Sequence, residues 1–332
     1  MPLIIALLIV IAILLILLAA QKRWTRVRYL APRLLAAYLS LMLLLALGEV
    51  FFRYAYAESG WGFTLAYKNW HDRYWQNTNS HGYRDREWTA GDFAGKTSVM
   101  LLGDSFTAGW GVNDPEDRFG DVLADLLGEE YAVANLGLPG GTPPRELKLA
   151  REHPLQEPDI IIYQYYLNDI DDAALKIDDF WSPQFPIPPQ WIDEESYLAN
   201  FIWWRVVPLL TTIKASDDES YWEWNYRTYQ NLTIFDIHRE ELAEVMQFAE
   251  ERDARLIVVI FPNMADPVGS IRYVDAIATV FEENGYSEIL KLFDEAAAWN
   301  PDESMVSNRD AHPSAAFHRR VGELIYEEFF TE

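Results

Sequence analysis

The sequence predicts an α/β protein with a parallel sheet of about five strands, preceded by two transmembrane helices. Two observations support this prediction. Two long apolar segments stand near the start of the chain, and beyond residue 95 short apolar runs alternate with segments of helical periodicity. Strands that alternate with helices form parallel sheets covered by helices on both faces.

The two apolar segments predict a membrane anchor. Residues 2–20 are uncharged and almost wholly apolar, and a helix of this length spans roughly 28 Å, about the thickness of a bilayer core. The second segment covers about residues 34–52. No charged residue precedes the first segment, so it does not resemble a cleavable signal peptide.

Basic residues between the two segments predict the orientation of this anchor. They are Lys22, Arg23, Arg26, Arg28 and Arg33. The positive-inside rule places such a loop in the cytoplasm. We therefore expect a multi-pass protein of the cytoplasmic membrane whose remaining chain lies on the periplasmic or extracellular side.

Composition shifts divide the chain into three parts. Residues 1–54 form the predicted two-helix anchor, residues 55–95 an aromatic and polar juxtamembrane connector, and residues 96–332 the α/β domain. Within the domain, a segment at about 170–232 interrupts the strand–helix alternation and carries six of the 13 tryptophans. This insert is interpreted as a lid with an aromatic core, a platform for sugars or, at residues 200–210, a helix that touches the membrane.

The remaining elements follow from apolar periodicity. Predicted strands cover residues 97–102, 131–137, 158–166, 255–261 and, more weakly, 286–292. Predicted helices cover residues 117–128, 143–154, 238–252, about 270–283 and 313–329.

Charge and cysteine content exclude several classes of partner. The chain carries 51 acidic and 27 basic residues, a net charge of -24, which argues against a nucleic-acid partner because phosphate binding needs a basic face. It has no cysteine, so disulfides and thiolate metal sites are excluded. The sequence indicates no particular protein partner.

Polar residues follow three of the predicted strands. They are Gly103-Asp104-Ser105, Asn135-Leu136-Gly137 and Asn168-Asp169. In a parallel sheet all three lie at the same edge, where such folds bind ligands. A fourth segment, "RDAHPS" at 309–314, precedes the last helix. Together the four supply a hydroxyl, backbone N–H groups, an amide, a carboxylate and an imidazole, which are the groups that acyl transfer to a serine requires.

These segments resemble, in order, the sequence blocks of the SGNH (GDSL-type) hydrolases. "GDSFTAG" is similar to the first block, which implies Ser105 as the nucleophile with its N–H in the oxyanion hole. "NLGLPG" is similar to the second block and implies the Gly137 N–H as an oxyanion donor. "YLND" is similar to the third block and implies the Asn168 side-chain amide as a further oxyanion donor. "DAHPS" is similar to the fifth block and implies His312 as the base.

The resemblance covers about residues 78–330, apart from the insert. "NSHGYRDREW" at 79–88 is also similar to the lead-in of membrane-linked members of the family. The resemblance implies a flavodoxin-like fold of three layers.

Two positions depart from the family's pattern. The third block usually begins with glycine, and this sequence has Tyr166 there. The acid usually stands three residues before the histidine, where this sequence has Arg309; Asp310 stands two residues before His312. We expect Asp310 to orient the histidine, with Asp302 or a backbone carbonyl as the alternatives.

The resemblance implies a membrane-anchored serine esterase that acts outside the cytoplasmic membrane on an acylated glycan or lipid, with no cofactor and no metal. An O-acyltransferase that modifies extracellular polysaccharide would use the same residues. A metal-dependent phosphoesterase and a catalytically inactive glycan-binding or assembly protein are further alternatives. The phosphoesterase would use the oxygen ligands Asp104, Asp169, Asp171 and Asp172.

Overall fold

A computed structural model describes most of the chain. The residues it describes are 10–13, 16, 25–60, 62–75, 78–183, 186–210 and 219–331. The first predicted transmembrane segment, residues 2–20, lies almost entirely outside the described residues.

The predicted five-stranded parallel sheet is confirmed. Its strands run in the order β2-β1-β3-β4-β5, and all four pairings between neighbours are parallel. The strands are β1 (Thr97–Gly103), β2 (Tyr131–Gly137), β3 (Ile160–Tyr165), β4 (Arg255–Ile260) and β5 (Ile289–Lys291). This order is the doubly wound arrangement of flavodoxin-like folds.

Helices occupy most of the remaining described chain. They are α1 (Thr25–Tyr54), α2 (Leu65–Tyr74), α3 (Ser105–Ala108), α4 (Phe119–Leu127), α5 (Pro143–Ala150), α6 (Asp171–Leu175), α7 (Tyr197–Leu210), α8 (Tyr221–Gln230), α9 (Leu232–Glu250), α10 (Pro267–Glu283), α11 (Phe293–Ala298), α12 (Pro301–Ser304) and α13 (Ala315–Phe329). Short 3₁₀ turns cover Ala90–Phe93, Pro115–Asp117 and Leu167–Ile170, and a π-helical turn covers Trp191–Glu195.

Two apolar cores, one on each face of the sheet, create three layers. In β1, Val99 and Leu101 point to one face and Met100 and Leu102 to the other, because side chains alternate along a strand. The first face packs against α4, α11 and α13, and the second against α5, α8, α9 and α10. Burial on both faces explains why the strands read as continuous apolar runs.

Helix α9 differs most from its predicted bounds. It begins at Leu232, six residues before the predicted start at residue 238. Asn231 caps it, because its side-chain oxygen accepts the Thr233 N–H at 3.1 Å. The helix that covers the sheet therefore reaches back to the end of the predicted insert at about residue 232.

A small hairpin before α13 was not predicted. Strands β6 (Met305–Ser307) and β7 (Asp310–Pro313) pair antiparallel. Strands of three and four residues are too short to show a periodic pattern in the sequence. The last helix accordingly begins at Ala315, two residues after its predicted start.

The juxtamembrane connector is packed into the α/β domain. Arg84 is only 2% exposed and donates to the backbone carbonyls of Tyr74, Gly109 and Asn113 at 2.9–3.1 Å. One guanidinium thus links α2, the loop after α3 and the connector itself. This part of the chain also contains α2, which the aromatic, polar sequence did not reveal.

Within the described residues, one helix is long and apolar enough to cross a membrane. This part of α1 covers Pro32–Tyr54, 23 residues with a mean hydropathy of 2.1. Near its end, Glu49 and Arg53 form an ion pair at 2.8 Å across one helical turn, as the i,i+4 spacing suggests.

Helix α7 of the insert begins beside the end of α1. The Glu49 carboxylate accepts the N–H groups of Tyr197 and Leu198 at 3.1 and 3.0 Å, so it caps α7 from another helix. Phe52 stacks on Phe201 with ring centroids 4.1 Å apart. The insert is therefore fastened to the last turns of the apolar helix.

Arg84→Met should destabilise the domain strongly. The substitution leaves three carbonyl groups without their donor in a buried site, so we expect a loss of about 2–4 kcal/mol in the free energy of unfolding. Tryptophan fluorescence of the detergent-solubilised chain in a urea titration measures this loss. The matched control is Arg86→Met, since the Arg86 side chain is 54% exposed and should contribute less than about 1 kcal/mol. Equal losses in the two variants would contradict the role given to Arg84.

Candidate active site

The turn between β1 and α3 presents Ser105. Asp104 caps α3, with the Phe106 N–H donating to its carboxylate at 2.8 Å. The Gln164 side-chain oxygen on β3 accepts the N–H and hydroxyl of Thr107 at 3.1 and 2.8 Å. The turn is thereby held to the neighbouring strand, and Ser105 stands at the first position of the helix, 8% exposed.

The structure brings Ser105, His312 and Asp310 together in one hydrogen-bonded chain. Ser105 Oγ lies 2.9 Å from His312 Nε2, and His312 Nδ1 lies 2.5 Å from Asp310 Oδ1. Asp310 and His312 both belong to β7. Side chains two positions apart on a strand point to the same side, which explains how the unusual spacing aims the carboxylate at the imidazole. Asp302, the alternative acid, is exposed at the start of α12.

Asp310 keeps its charge despite burial. Burial raises the pKa of this carboxyl, but the hydrogen bond and the charge of His312, together with the Ser59 hydroxyl, more than offset this and bring the pKa below its ordinary value. Since a depressed pKa keeps the carboxylate ionised well below neutral pH, Asp310 is available to hold an imidazolium.

Asp104 and Asp169 are fully buried, and the Ser105 hydroxyl lies 3.4 Å from Asp104 Oδ2. Asp104 caps α3, and Asp169 accepts the Tyr166 N–H at 3.0 Å, so each carboxylate holds a turn. Burial raises the pKa of both groups. Across the described residues, no group of three or more histidine and acidic side chains is arranged to hold a metal ion, so Asp104, Asp169, Asp171 and Asp172 form no such cluster.

Of the predicted oxyanion donors, Ser105 and Asn168 line the cavity and Gly137 does not. The Gly137 N–H donates instead to Asn135 Oδ1 at 2.9 Å. A Cβ at Gly137 would collide with the backbone of Ala108, so glycine is required for β2 to approach α3 closely. In this structure Gly137 serves the close packing of β2 against α3, and its part as an oxyanion donor stays a prediction.

A cavity of about 390 Å³ opens at Ser105. Its aromatic walls are Phe106, Trp110, Tyr166, Tyr221 and Trp222. Tyr166 replaces the family's glycine, and its ring stacks on Phe106 with ring centroids 4.1 Å apart. Its backbone is extended, so a tyrosine forms this wall of the cavity without backbone strain. The insert supplies Tyr221 and Trp222, which makes its aromatic residues part of the site.

The juxtamembrane connector also reaches this site, which the sequence did not predict. Ser59, Gly60 and Gly62 line the cavity, and Ser59 Oγ donates a hydrogen bond to Asp310 Oδ2. These residues lie outside every block that resembles the family. A single serine in an aromatic segment forms no sequence motif that would predict this contact.

Asp171 supports the insert's side of the cavity. Its carboxylate accepts the Tyr221 hydroxyl at 2.9 Å and the Asn225 amide at 3.2 Å. Burial raises the pKa of Asp171 to about 7, against the opposing effect of these two donors. In the unfolded chain the same group titrates near 4.

Asp171→Asn should flatten the pH dependence of stability. Between pH about 4 and about 7, Asp171 is protonated in the folded state and ionised in the unfolded state. The contribution of Asp171 to stability is therefore greatest at the acid end of this window and falls as pH rises through it. From pH 5 to pH 8 the wild type should lose about 2–3 kcal/mol more than the variant in urea titrations. Asp125→Asn, at an exposed position, serves as the control. Parallel curves for wild type and Asp171→Asn would contradict this assignment.

Comparison with solved structures finds similar folds at low identity. The lipase Lip_vut3 from a goat rumen metagenome is 12% identical, with 71% of this chain and 99% of that chain covered and a TM-score of 0.45. A carbohydrate acetylesterase family member from Sinorhizobium meliloti is 13% identical, with 71% and 100% covered and a TM-score of 0.39. Est24, a carbohydrate acetylesterase from the same organism, is 18% identical, with 70% and 97% covered and a TM-score of 0.38. Among curated proteins, none matches the chain significantly.

The family model gives the clearer result. The model of the GDSL-like Lipase/Acylhydrolase family matches residues 101–320, well over half of the chain. The match begins within β1 and ends within α13, so it includes most of the sheet, the β6–β7 hairpin and every cavity-lining residue except Ser59, Gly60 and Gly62. The chain therefore belongs to the GDSL-like lipase/acylhydrolase family and is an ester-hydrolysing enzyme.

Proposed function

We propose that this enzyme hydrolyses esters through a covalent acyl-enzyme on Ser105. The observation that carries the proposal is the chain of hydrogen bonds from Ser105 Oγ to His312 Nε2 at 2.9 Å and from His312 Nδ1 to Asp310 at 2.5 Å. A serine is a weak nucleophile unless a neighbouring base takes its proton. His312 is in position to do so, and Asp310 is in position to orient it.

The steps follow from these positions. Ser105 Oγ bonds to the ester carbonyl carbon while its proton passes to His312 Nε2. The oxyanion that forms is stabilised by the Ser105 N–H and the Asn168 amide. The C–O bond to the alcohol then breaks, and the alcohol leaves with the proton held by His312. Water repeats the sequence on the acyl-enzyme, releases the acid and restores Ser105.

The cavity supports an acylated glycan or lipid as the substrate. Its volume of about 390 Å³ is within the range of small-molecule sites and holds more than an acyl group alone. The rings of Trp110, Tyr166 and Trp222 offer flat apolar faces that can stack on a sugar ring or contact an alkyl chain. We propose that the acyl group lies at Ser105 and the alcohol part lies against these rings.

Ser105→Ala should abolish ester hydrolysis. We expect the turnover of p-nitrophenyl acetate to fall by about 10³-fold or more, because no oxygen remains to form the acyl-enzyme. The thermal unfolding midpoint should stay within a few degrees of the wild type. Ser80→Ala, at an exposed serine of the connector, is the matched control and should retain full activity. Wild-type turnover by Ser105→Ala would eliminate the proposed mechanism.

We further propose that α1 anchors the enzyme, with the α/β domain outside the cytoplasmic membrane. The length and hydropathy of Pro32–Tyr54 support a membrane span. The basic residues before it favour a cytoplasmic location for its start, so the chain beyond residue 54 emerges on the opposite side.

Cysteine labelling tests this orientation directly. Because the chain has no cysteine, each introduced thiol is the only one present. With a membrane-impermeant maleimide applied to intact cells, Ser80→Cys should be labelled and Arg26→Cys should be labelled only after the cells are broken. The reverse pattern, or recovery of the protein in the soluble fraction, would contradict the proposed anchor.

A further inference from the structure

We propose that Ser59, in the segment next to the apolar helix, is a positioning residue for the catalytic aspartate. The inference rests on the proposed function, because it assigns Asp310 a part in the reaction. Ser59 lies outside residues 101–320, the part of the chain that matches the family model. It therefore adds a group to the site from a part of the chain that the family match does not reach.

The two oxygens of Asp310 have different partners. Oδ1 lies 2.5 Å from His312 Nδ1 and also accepts the His312 backbone N–H at 3.3 Å. Oδ2 accepts the hydroxyl of Ser59, and this is the one hydrogen bond to Oδ2 among the described residues. Asp310 and Ser59 are 4% and 3% exposed, so water has little access to this contact. Ser59 thus satisfies an oxygen that would otherwise be buried without a partner.

Several contacts hold Ser59 in this position. Its carbonyl accepts the Trp110 indole N–H at 3.3 Å, from the loop that follows α3. Gly111 leaves room for the Ser59 hydroxyl, because a Cβ added to Gly111 would lie 3.2 Å from the Ser59 oxygen. Gly60 packs against the Arg309 carbonyl, because a Cβ added to Gly60 would lie only 3.0 Å from that oxygen. The segment is therefore seated between the Ser105 loop and the hairpin that carries His312.

The second hydrogen bond matters because a carboxylate can rotate. His312 alone fixes one oxygen of Asp310, whereas a partner on the other oxygen also fixes the plane of the group. A carboxylate in a fixed plane holds the imidazole at the correct angle to Ser105, which stands 2.9 Å away. A hydrogen bond to a charged group is stronger than one between neutral groups, and its loss corresponds to roughly 10- to 100-fold in rate.

The test compares Ser59→Ala, Ser59→Thr and Ser59→Cys in the full chain, with p-nitrophenyl acetate as the substrate. For Ser59→Ala we expect kcat to fall by about tenfold or more while KM changes by less than about twofold, since a hydrogen bond to a charged group is lost while the aromatic walls of the cavity stay in place. Ser59→Thr keeps the hydroxyl and should retain most of kcat. Ser59→Cys, a weaker donor of similar size, should fall between the two. The control is again Ser80→Ala.

The outcomes separate this inference from the proposed function. If Ser105→Ala is inactive but Ser59→Ala keeps the wild-type kcat, the positioning role is wrong and the serine mechanism stands. If Ser105→Ala remains active, the proposed function itself fails. Should Ser59→Ala not fold, Ser59→Cys decides: full activity in that variant overturns the inference, and reduced kcat with unchanged KM supports it.

Discussion

The rest of the site depends on one constraint. Strand β1 pairs in parallel with β2 on one side and with β3 on the other. Its register sets Gly103 opposite Gly137, and β3 ends at Tyr165 beside them. Because parallel strands finish at one edge of the sheet, the turn that carries Ser105 and the turn that carries Asn168 meet there. The imidazole and the carboxylate have no strand of their own in this sheet, so they must approach the edge from elsewhere in the chain.

His312 and Asp310 lie on the β6–β7 hairpin, and the juxtamembrane connector contacts this hairpin through Ser59. His312 is 207 residues from Ser105, and Asp310 is 251 residues from Ser59. The site is therefore assembled only when three distant parts of the chain have folded together. The connector, which lines the cavity, follows α1 directly, and α7 of the insert begins on Glu49 of that helix, so the apolar helix contacts both the connector and the insert.

The sheet and the neighbouring side chains of the site could be predicted from the sequence, whereas the hairpin and the contact of Ser59 could not. Strands buried on both faces are continuous apolar runs, so the five strands and their parallel sheet were predictable, as were Ser105, His312 and Asp310 as neighbours in space. The hairpin was missed because its strands are too short for periodicity. The sequence could not show that the Asn135 side-chain oxygen accepts the Gly137 N–H, because no local pattern marks this contact. Ser59 was missed because a tertiary contact between single residues leaves no local pattern.

The central claim, a covalent acyl-enzyme on Ser105, is tested most directly by trapping that intermediate. Turnover of a slowly hydrolysed ester is quenched with acid, and the tryptic peptide of residues 97–118 is fragmented in a mass spectrometer. We expect to find the mass of the acyl group on Ser105, with the adduct formed at least as fast as the enzyme turns over. An acyl group on another residue, or turnover with no covalent adduct at all, would contradict it.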